Sequence, residues 1–239
     1  MGNTWTKDSL HFGDAIRIGA AICICEEDSV YVDGLLSELE RMRVDVAWLA
    51  NNCKLETVDK LRAFPRTVSV TNFSGSFHNC LRNYPFEALE NGYDWIIQWD
   101  ADEIWEPKAP RKLRNILKNQ QMIQVRMAHV WEQNGEKFIT LDMGDEKDRI
   151  YNTQYKWRYL QRVVAGPTNF DEDLRPSKAD IWIIHDGYST PEKRQFHKER
   201  WNRLHGQSVG RNPYGHWNRI TDHDFRPTLI PYDEFVSKL

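Results

Sequence analysis

Short apolar runs alternate with amphipathic stretches between residues 16 and 99, and this alternation constrains the fold more than any other feature. The predicted strands cover residues 16–25, 44–50, 67–71 and 94–99. The predicted helices cover a segment from Asp28 or Ser29 to Met42, then 56–62 and 77–90. Strands and helices in this order form a parallel sheet through right-handed crossovers. We therefore expect an α/β fold with a mostly parallel central sheet flanked by helices.

The second half of the chain is less regular. The predicted strands are 122–131, 137–141, 155–164 and 179–185, and a helix is predicted at 191–204. The tail after residue 219 has little periodicity, which indicates an irregular C-terminal extension. We expect a catalytic domain at 1–190, with a nucleotide-binding half at 16–107 and an acceptor half at 108–190. A basic helical extension, a candidate lid, is expected at 191–239.

Composition narrows the cellular context. The net charge is −3, and no apolar run reaches the length of about 18 residues that indicates a membrane-spanning helix. Residues 1–14 lack the apolar core of a signal peptide. The four cysteines do not have the spacing of a zinc site, so reduced thiols are expected. These features predict a soluble cytoplasmic protein without a transmembrane segment.

An acidic pair follows the fourth predicted strand. Asp100 and Asp102 come directly after the strand at 94–99. Side chains at positions i and i+2 of an extended chain point to the same face, so both carboxylates are expected to aim at one point. Carboxylate oxygens suit a hard divalent cation that also binds phosphate. An exposed acidic turn is the alternative interpretation.

Other polar groups follow the remaining strands. Glu26-Glu27, Asn51-Asn52 and Asn72 come after the first three strands, and His185 comes after the strand at 179–185. In open parallel sheets, ligands bind at the carboxyl ends of the strands. We therefore expect the clusters after the first four strands to converge on one rim. A structural histidine at a strand end is the alternative for His185.

The order of these motifs resembles a family 2-type glycosyltransferase of the GT-A fold. The resemblance rests on Glu26-Glu27-Asp28, Asn51-Asn52 with Glu56-Thr57, His78 to Asn83, and Asp94 to Glu103. It covers residues 16–107 by motif and extends more loosely to Arg200. It implies a metal-dependent transferase of the hexosyltransferase type that uses a nucleotide diphosphate sugar, with a UDP-sugar favoured, and Mn²⁺ or Mg²⁺.

The resemblance also implies roles for single residues. Asp102 would bind the metal directly, Asp100 would contact the ribose or reach the metal through water, and His185 would complete the metal site. The family's acid for base recognition is replaced here by Asn51, which puts the preference for uridine in doubt. The residues expected to bind the nucleotide sugar are Cys23, Glu27, Asn51, Asn72, Arg82, Asp100 and Ala101.

An inverting transferase also needs a carboxylate to take the proton of the acceptor hydroxyl. The segment from Gly166 to Asp173 resembles the family's acceptor loop, so Asp171, Glu172 and Asp173 are candidates. Glu132 is a competitor, and so are Asp142 and Asp145. Inversion is the expectation, although the sequence does not decide between inversion and retention.

Two further features concern the acceptor. The chain has ten Trp residues, and Trp105 and Trp131 are the first candidates for stacking on a sugar. Between 193 and 219, seven basic residues face a single acid. Such a segment would suit a phosphate-bearing ligand or a nucleic acid, although a solvated helix face is the alternative. The expected acceptor is therefore a glycan hydroxyl, with a nucleic acid bound through the basic segment as the alternative.

Two other classes of function stay open. A metal-dependent nucleotidyltransferase would also use a parallel sheet and two Asp residues, although its Gly-rich phosphate loop is poorly matched by Gly19-Ala20-Ala21. A carbohydrate- or nucleic-acid-binding protein without catalytic activity would use the Trp residues and the basic segment.

Overall fold

A computed structural model describes residues 16–117, 120–142, 146–160, 167, 176–205 and 225–239. Its strands are β1 (Ile18–Cys25), β2 (Asp45–Asn51), β3 (Thr67–Phe73), β4 (Trp95–Trp99), β5 (Glu103–Trp105), β6 (Met122–Gln133), β7 (Glu136–Thr140), β8 (Glu146–Asn152), β9 (Pro176–His185) and β10 (Ile230–Pro231). Its α-helices are α1 (Val32–Met42), α2 (Leu55–Ala63), α3 (Asn83–Glu90), α4 (Ala109–Ile116), α5 (Pro191–His205) and α6 (Tyr232–Lys238). Short 3₁₀ helices lie at Glu26–Tyr31, Asn79–Arg82 and Thr153–Tyr155.

The chain divides into two compact units. Unit 1 contains the described residues up to Ala101 together with those of 117–123 and 148–177. Unit 2 contains the described residues of 102–116, 124–147 and 178–239. The chain passes from unit 1 to unit 2 between Ala101 and Asp102, inside the Asp-x-Asp motif. The domain boundary expected at residue 190 stays a prediction.

Unit 1 is built on a parallel sheet. β1 pairs in parallel with β2 and with β4, β2 pairs in parallel with β3, and β8 adds an antiparallel strand beside β4. Helix α3 packs against β1, β2 and β3. Nearly all of β1, β2 and β4 is buried, as is typical of parallel strands covered by helices. The expected mixed α/β fold with a mostly parallel sheet flanked by helices is confirmed here.

Aromatic side chains fill the core of unit 1 beside the sheet. Phe86 of α3 meets the rings of Tyr151 and Tyr159 edge-on at centroid distances of 5.8 and 5.5 Å. Tyr151 in turn meets Trp157 at 5.0 Å. Edge-to-face aromatic pairs add stability beyond the area that they bury. This aromatic core therefore anchors the loop at 153–160 to the sheet and to α3.

Unit 2 has antiparallel strands. β6 and β7 form a hairpin, β10 pairs with β7, and β9 pairs with β5 and β6. A separate apolar core joins this sheet to α6 at the C-terminus. Phe235 of α6 packs edge-on against Trp182 at 5.3 Å and belongs to a cluster with Val130, Ile139 and Ile184. No helix among the described residues is long and apolar enough to cross a membrane.

The strand predicted at 155–164 is wrong over its described part. The alternate burial of Trp157 and Tyr159 imitates a strand, but the backbone there is held by side chains. The Asn83 amide accepts from the Tyr159 N–H at 2.6 Å and donates to the Tyr159 carbonyl at 3.1 Å, and Asn79 donates to the Leu160 carbonyl at 3.0 Å. These bonds replace a strand ladder.

Two predicted helix starts are also wrong. The α-helix expected from Phe77 begins at Asn83, after the 3₁₀ turn. Neither Asp28 nor Ser29 caps α1, because a 3₁₀ helix precedes it and Asp28 instead accepts the N–H of Cys25 at 2.8 Å. The strands β5 and β8 and the helices α4 and α6 were not predicted, because they are short or strongly polar.

The close approach of α3 to the sheet yields a stability prediction. A Cβ at Gly19 would lie 2.7 Å from Cδ2 of the fully buried Leu89. Gly19→Ala is therefore expected to lower the free energy of unfolding by about 1–3 kcal/mol. Gly34→Ala, in helix α1, is the control. An added Cβ at Gly34 has no atom within 4 Å, so this replacement should stabilise the helix by about 0.5–1 kcal/mol. Urea unfolding measures both, and equal effects would contradict the prediction.

Candidate active site

The carboxyl ends of β1 and β2 lie side by side in unit 1. Cys25 is in register with Asn51, and one strand over Ile22 is in register with Trp99, the last residue of β4. Asn51 is 4% exposed, and its Oδ1 has no hydrogen-bond partner among the described residues. A buried polar atom without a partner is costly, so Oδ1 is available to a ligand donor.

The neighbouring Asn52 has a structural role. Its backbone is left-handed with φ 54°. Its amide donates to the Gly75 carbonyl and accepts from the Gly75 N–H, each at 2.8 Å. This pair of bonds fixes the loop that follows β3 over the end of β2.

The acids after β1 are used differently from one another. Glu26 accepts the Lys54 N–H at 2.7 Å and the Thr57 hydroxyl at 3.3 Å, so it fixes the first turn of α2. The backbone bond from Lys54 lowers the pKa of Glu26. Glu27 and Asn72 are exposed at the rim, and their contact with a nucleotide stays a prediction.

A narrow cleft in unit 1 contains three of the predicted donor-site residues. It is lined by Ala21, Cys23, Arg82, Pro85, Phe86, Gln98, Trp99, Asp100 and Tyr159. Burial raises the pKa of the Cys23 thiol to about 12, so burial favours its protonated form. Burial alone would lower the pKa of Arg82, but Tyr159 and Asp100 raise it. Ala101, another residue predicted to bind the donor, does not line this cleft and is 8% exposed.

Asp100 is paired with an arginine that sequence reasoning missed. Nη2 of Arg149, on β8, donates to Oδ2 of Asp100 at 2.7 Å. Arg149 is 7% exposed, so the guanidinium is buried beneath the rim. Because the Arg149 guanidinium is buried, its positive charge is screened less by water and acts more strongly on neighbouring charges.

Asp102 lies in a histidine cluster of unit 2. Its Oδ2 is 3.2 Å from Nε2 of His185 and 3.9 Å from Nε2 of His197. Burial alone would raise the pKa of Asp102, but the two histidines lower it well below its usual range. Asp102 is therefore an ionised carboxylate facing two imidazole nitrogens.

Gly187 makes this arrangement sterically feasible. A Cβ at position 187 would overlap Oδ2 of Asp102 and would lie 2.8 Å from Cε1 of His185. The backbone of the same turn is tied to the Asp102 segment, since the Asp186 N–H donates to the Asp102 carbonyl at 2.9 Å. The turn after β9 and the start of β5 are thus locked together.

Two further rings surround His185. Nδ1 of His129, on β6, lies 3.2 Å from Nδ1 of His185. Tyr188 stacks on His129 at 5.1 Å and meets His197 edge-on at 5.6 Å. The hydrogen bond at Nδ1 leaves Nε2 of His185 facing Asp102, which is the orientation a metal-binding histidine needs.

The donor set fits a transition metal that accepts both oxygen and nitrogen. Asp102, His185 and His197 offer one carboxylate and two imidazoles, a set better suited to Mn²⁺ than to Mg²⁺, which prefers oxygen ligands. Among the described residues, no three His, Cys, Asp or Glu side chains form a preorganised metal site.

Sugar-stacking tryptophans are not found where they were predicted. Trp105 is 1% exposed and lies in the core. Trp131 is 8% exposed, with the Arg194 guanidinium 3.6 Å from its ring centroid and Phe225 edge-on at 5.6 Å. Neither ring offers an open face to a sugar.

The candidate bases and the basic segment are only partly described. Asp171, Glu172, Asp173 and Asp145 lie outside the described residues. Glu132 is half-buried at the end of β6, and its N–H donates to the Ser189 carbonyl at 2.8 Å.

At the start of the basic segment, Lys193 pairs with Asp186 at 2.5 Å and Arg194 donates to the Tyr188 carbonyl at 2.8 Å. These two cations are engaged within unit 2. Residues 206–219 of the segment lie outside the described part of the chain.

Comparisons with known proteins give structural likenesses alone. No protein-family model and no curated relative matches the chain. The chain is similar to a crystal structure of S. aureus TarS 1-349, with 10% identity, a TM-score of 0.45, and coverage of 86% of this chain and 69% of that one. The same fragment in complex with UDP-GlcNAc gives 12%, 0.44, 86% and 70%.

The inositol-1-phosphate CTP transferase from T. maritima gives 9% identity, a TM-score of 0.41, and coverage of 82% of this chain and 99% of that one. Likenesses this weak do not define the substrate of this chain.

The role of Gly187 leads to a binding prediction. Gly187→Ala is expected to displace the Asp102 carboxylate and weaken Mn²⁺ binding by about tenfold or more, since changing a residue that positions a metal ligand typically costs about 10- to 100-fold in affinity. Electron paramagnetic resonance of free Mn²⁺ measures the affinity. Gly34→Ala, at a position where an added Cβ meets no atom within 4 Å, is the control for a general effect of glycine replacement. Unchanged Mn²⁺ affinity in Gly187→Ala would contradict the assignment.

Proposed function

We propose that this protein is a metal-dependent glycosyltransferase that uses a nucleotide diphosphate sugar. The observation that carries the proposal is the convergence of His185 and His197 on the ionised Asp102, within the Asp-x-Asp motif that follows β4. An ion pair that only stabilises the fold would need a single histidine beside Asp102. Two imidazoles and a carboxylate at the end of buried strands favour a cation site.

Asp102, His185 and His197 are proposed to hold the metal. A bound Mn²⁺ would act as a Lewis acid that offsets the charge developing on the diphosphate leaving group. The residues of the chain perform the positioning. Gly187 allows the close approach of Asp102 and His185, and His129 orients the His185 ring through Nδ1.

Asn51 is proposed to contact the nucleobase. Its Oδ1 can accept from N3–H of uracil, and its amide nitrogen can donate to an adjacent carbonyl. The same amide also matches the edge of cytosine, so Asn51 supports a pyrimidine donor, of which UDP is our first choice. Cys23, Glu27, Asn72 and Arg82 are the remaining proposed donor contacts.

Glu132 is proposed as the general base of an inverting hexosyl transfer to a glycan hydroxyl. Its backbone N–H donates to the carbonyl of Ser189, in the turn that follows the proposed metal ligand His185, and this contact supports the choice. Asp171, Glu172 and Asp173 stay the competing candidates. A nucleic-acid acceptor is less favoured, because Lys193 and Arg194 are already engaged by Asp186 and by backbone carbonyls.

The decisive experiment compares donor turnover in the wild type and in Asp102→Asn. Release of nucleoside diphosphate is measured for UDP-, GDP- and dTDP-sugars with Mn²⁺ or with a chelator. The wild type should hydrolyse or transfer from one of the donors, and only when Mn²⁺ is present. Asp102→Asn should lower this rate by about 10²-fold or more, as expected when a transition-state electrostatic contact is removed.

Asp180→Asn is the control, since Asp180 is an exposed acid of unit 2 that pairs with Arg126. Equal activity of Asp102→Asn and the wild type would refute the proposal. Release of pyrophosphate from a nucleoside triphosphate would instead support a nucleotidyltransferase.

Base recognition is tested separately at Asn51. Asn51→Leu keeps the branched shape of the side chain but removes both polar groups, so UDP affinity should fall by about 5- to 20-fold, the value of one or two hydrogen bonds. Isothermal titration with UDP and with inorganic pyrophosphate measures the change. Pyrophosphate affinity should stay the same, because it has no base. A parallel loss for both ligands would show that Asn51 does not read the base.

A further inference from the structure

A second cleft lies in unit 1, at the end of β4 opposite to the Asp-x-Asp motif. It opens where β4 begins at Trp95, whereas Asp100 follows the last residue of the strand. β4 has five residues, so its two ends lie roughly 13 Å apart at about 3.3 Å per residue. The volume of this cleft is about 370 Å³, which is within the usual range of small-molecule sites. This amino-end cleft is therefore separate from the proposed donor contacts and large enough for a ligand.

The lining of the amino-end cleft is polar and carries a single carboxylate. Its polar side chains are those of Asp94, Gln120, Asn152, Gln154 and Tyr155. No lysine, arginine or histidine of the described residues lines it. A phosphate or another anion would find no cation here and would be repelled by Asp94. The lining therefore suits an uncharged polar ligand.

Several polar atoms of this lining are left for such a ligand. The side-chain amide of Gln154 and the hydroxyl of Tyr155 have no hydrogen-bond partner among the described residues. Oε1 of Gln120 accepts from the Ser177 hydroxyl, so its amide nitrogen can still donate. Asp94 uses Oδ2 to accept the Arg17 N–H at 2.6 Å, and Oδ1 is left as an acceptor. Sugar hydroxyl groups both donate and accept, so they match this mixture of amides, hydroxyl and carboxylate.

The turn that carries Gln154 and Tyr155 is fixed by other side chains. Asn152 accepts the Gln154 N–H at 3.0 Å and donates to the Gln120 carbonyl at 3.1 Å. The Thr153 hydroxyl donates to the Tyr93 carbonyl at 2.7 Å. Because these bonds exist without a ligand, binding would cost little ordering of the backbone.

Aromatic side chains form part of the wall. Trp95 is 3% exposed, and Tyr155 is half-buried and packs against the aromatic core of unit 1. Both line the amino-end cleft. Aromatic surface beside hydrogen-bonding groups matches a pyranose, which has apolar C–H groups as well as hydroxyls.

We propose that the amino-end cleft binds an uncharged saccharide unit, with hydrogen bonds from Gln154, Tyr155, Gln120 and Asp94. That this saccharide is part of the acceptor glycan rests on the proposed function, whereas the binding itself does not. A glycan held here would be anchored at the end of the sheet opposite to Asn51. The cleft thus gives the chain a second contact with a long acceptor.

The experiment is a titration of the full chain with glucose, galactose, mannose and N-acetylglucosamine, followed by saturation-transfer NMR of the sugar. At least one of these sugars should bind. Gln154→Ala and Tyr155→Phe should each weaken its binding by about 3- to 10-fold, the value of one hydrogen bond. Tyr84→Phe is the matched control, because Tyr84 is an exposed tyrosine of α3 outside the cleft lining. Binding of none of the four sugars, or unchanged affinity in both cleft variants, would overturn the proposal.

A second titration separates the amino-end cleft from the candidate active site. The same sugar is titrated with UDP and Mn²⁺ present, and separately into Asp102→Asn. The sugar affinity should be the same in both cases, because neither change touches the cleft lining. Displacement of the sugar by UDP with Mn²⁺, or its loss in Asp102→Asn, would assign it to the active site and overturn the proposal.

The two proposals fail in distinguishable ways. If a sugar binds through Gln154 and Tyr155 but no nucleotide sugar is turned over with Mn²⁺, the saccharide site stands and the transferase function falls. If a nucleotide sugar is turned over but no sugar binds in the cleft, the function stands and the saccharide site falls.

Discussion

The parallel pairing of β1 with β2 and β4 is the constraint on which unit 1 depends. It places Cys25 beside Asn51 and ends β4 at Trp99, opposite Ile22. Because all of β4 and nearly all of β1 and β2 is buried, a shift of one residue would turn apolar side chains away from the core. The apolar residues of β2 and β4 therefore fix the register of the two strands. This register in turn sets the positions of Asn51 and Asp100 at the strand ends.

The sequence predicted the fold best where periodicity and burial agree. From Ile18 to Trp99, each predicted strand and helix exists, with ends moved by a few residues, because these elements are long enough to show a clear apolar pattern. The prediction failed at β8, whose residues Glu146 to Ile150 contain four charged side chains. A strand with that composition is normally exposed, but Arg149 is buried against Asp100. Local rules thus failed at a buried ion pair whose acid lies 49 positions away in the chain.

Parts of the candidate site could also be found from the sequence. Asp102 and His185 stood out because each follows an apolar strand. His129 and His197 did not, because the first lies within the apolar pattern of β6 and the second lies among the charges of α5. Their relation to His185 and Asp102 depends on contacts between residues separated by up to 95 positions, and no local pattern carries that information. The Asp-x-Asp motif predicted where the candidate site lies, whereas His129 and His197 could be identified only from tertiary contacts.

The two acids of the motif have different electrostatic environments, which argues against equal roles. The argument from strand geometry assumed an extended chain through Asp102, but β4 ends at Trp99 and a turn covers Ala101 and Asp102. Asp100 neutralises part of the charge of Arg149, so it has less charge left to attract a cation. Asp102 faces the imidazoles of His185 and His197, which hold its pKa well below the usual range. The two acids of the motif therefore differ in their partners, which are an arginine for Asp100 and two histidines for Asp102.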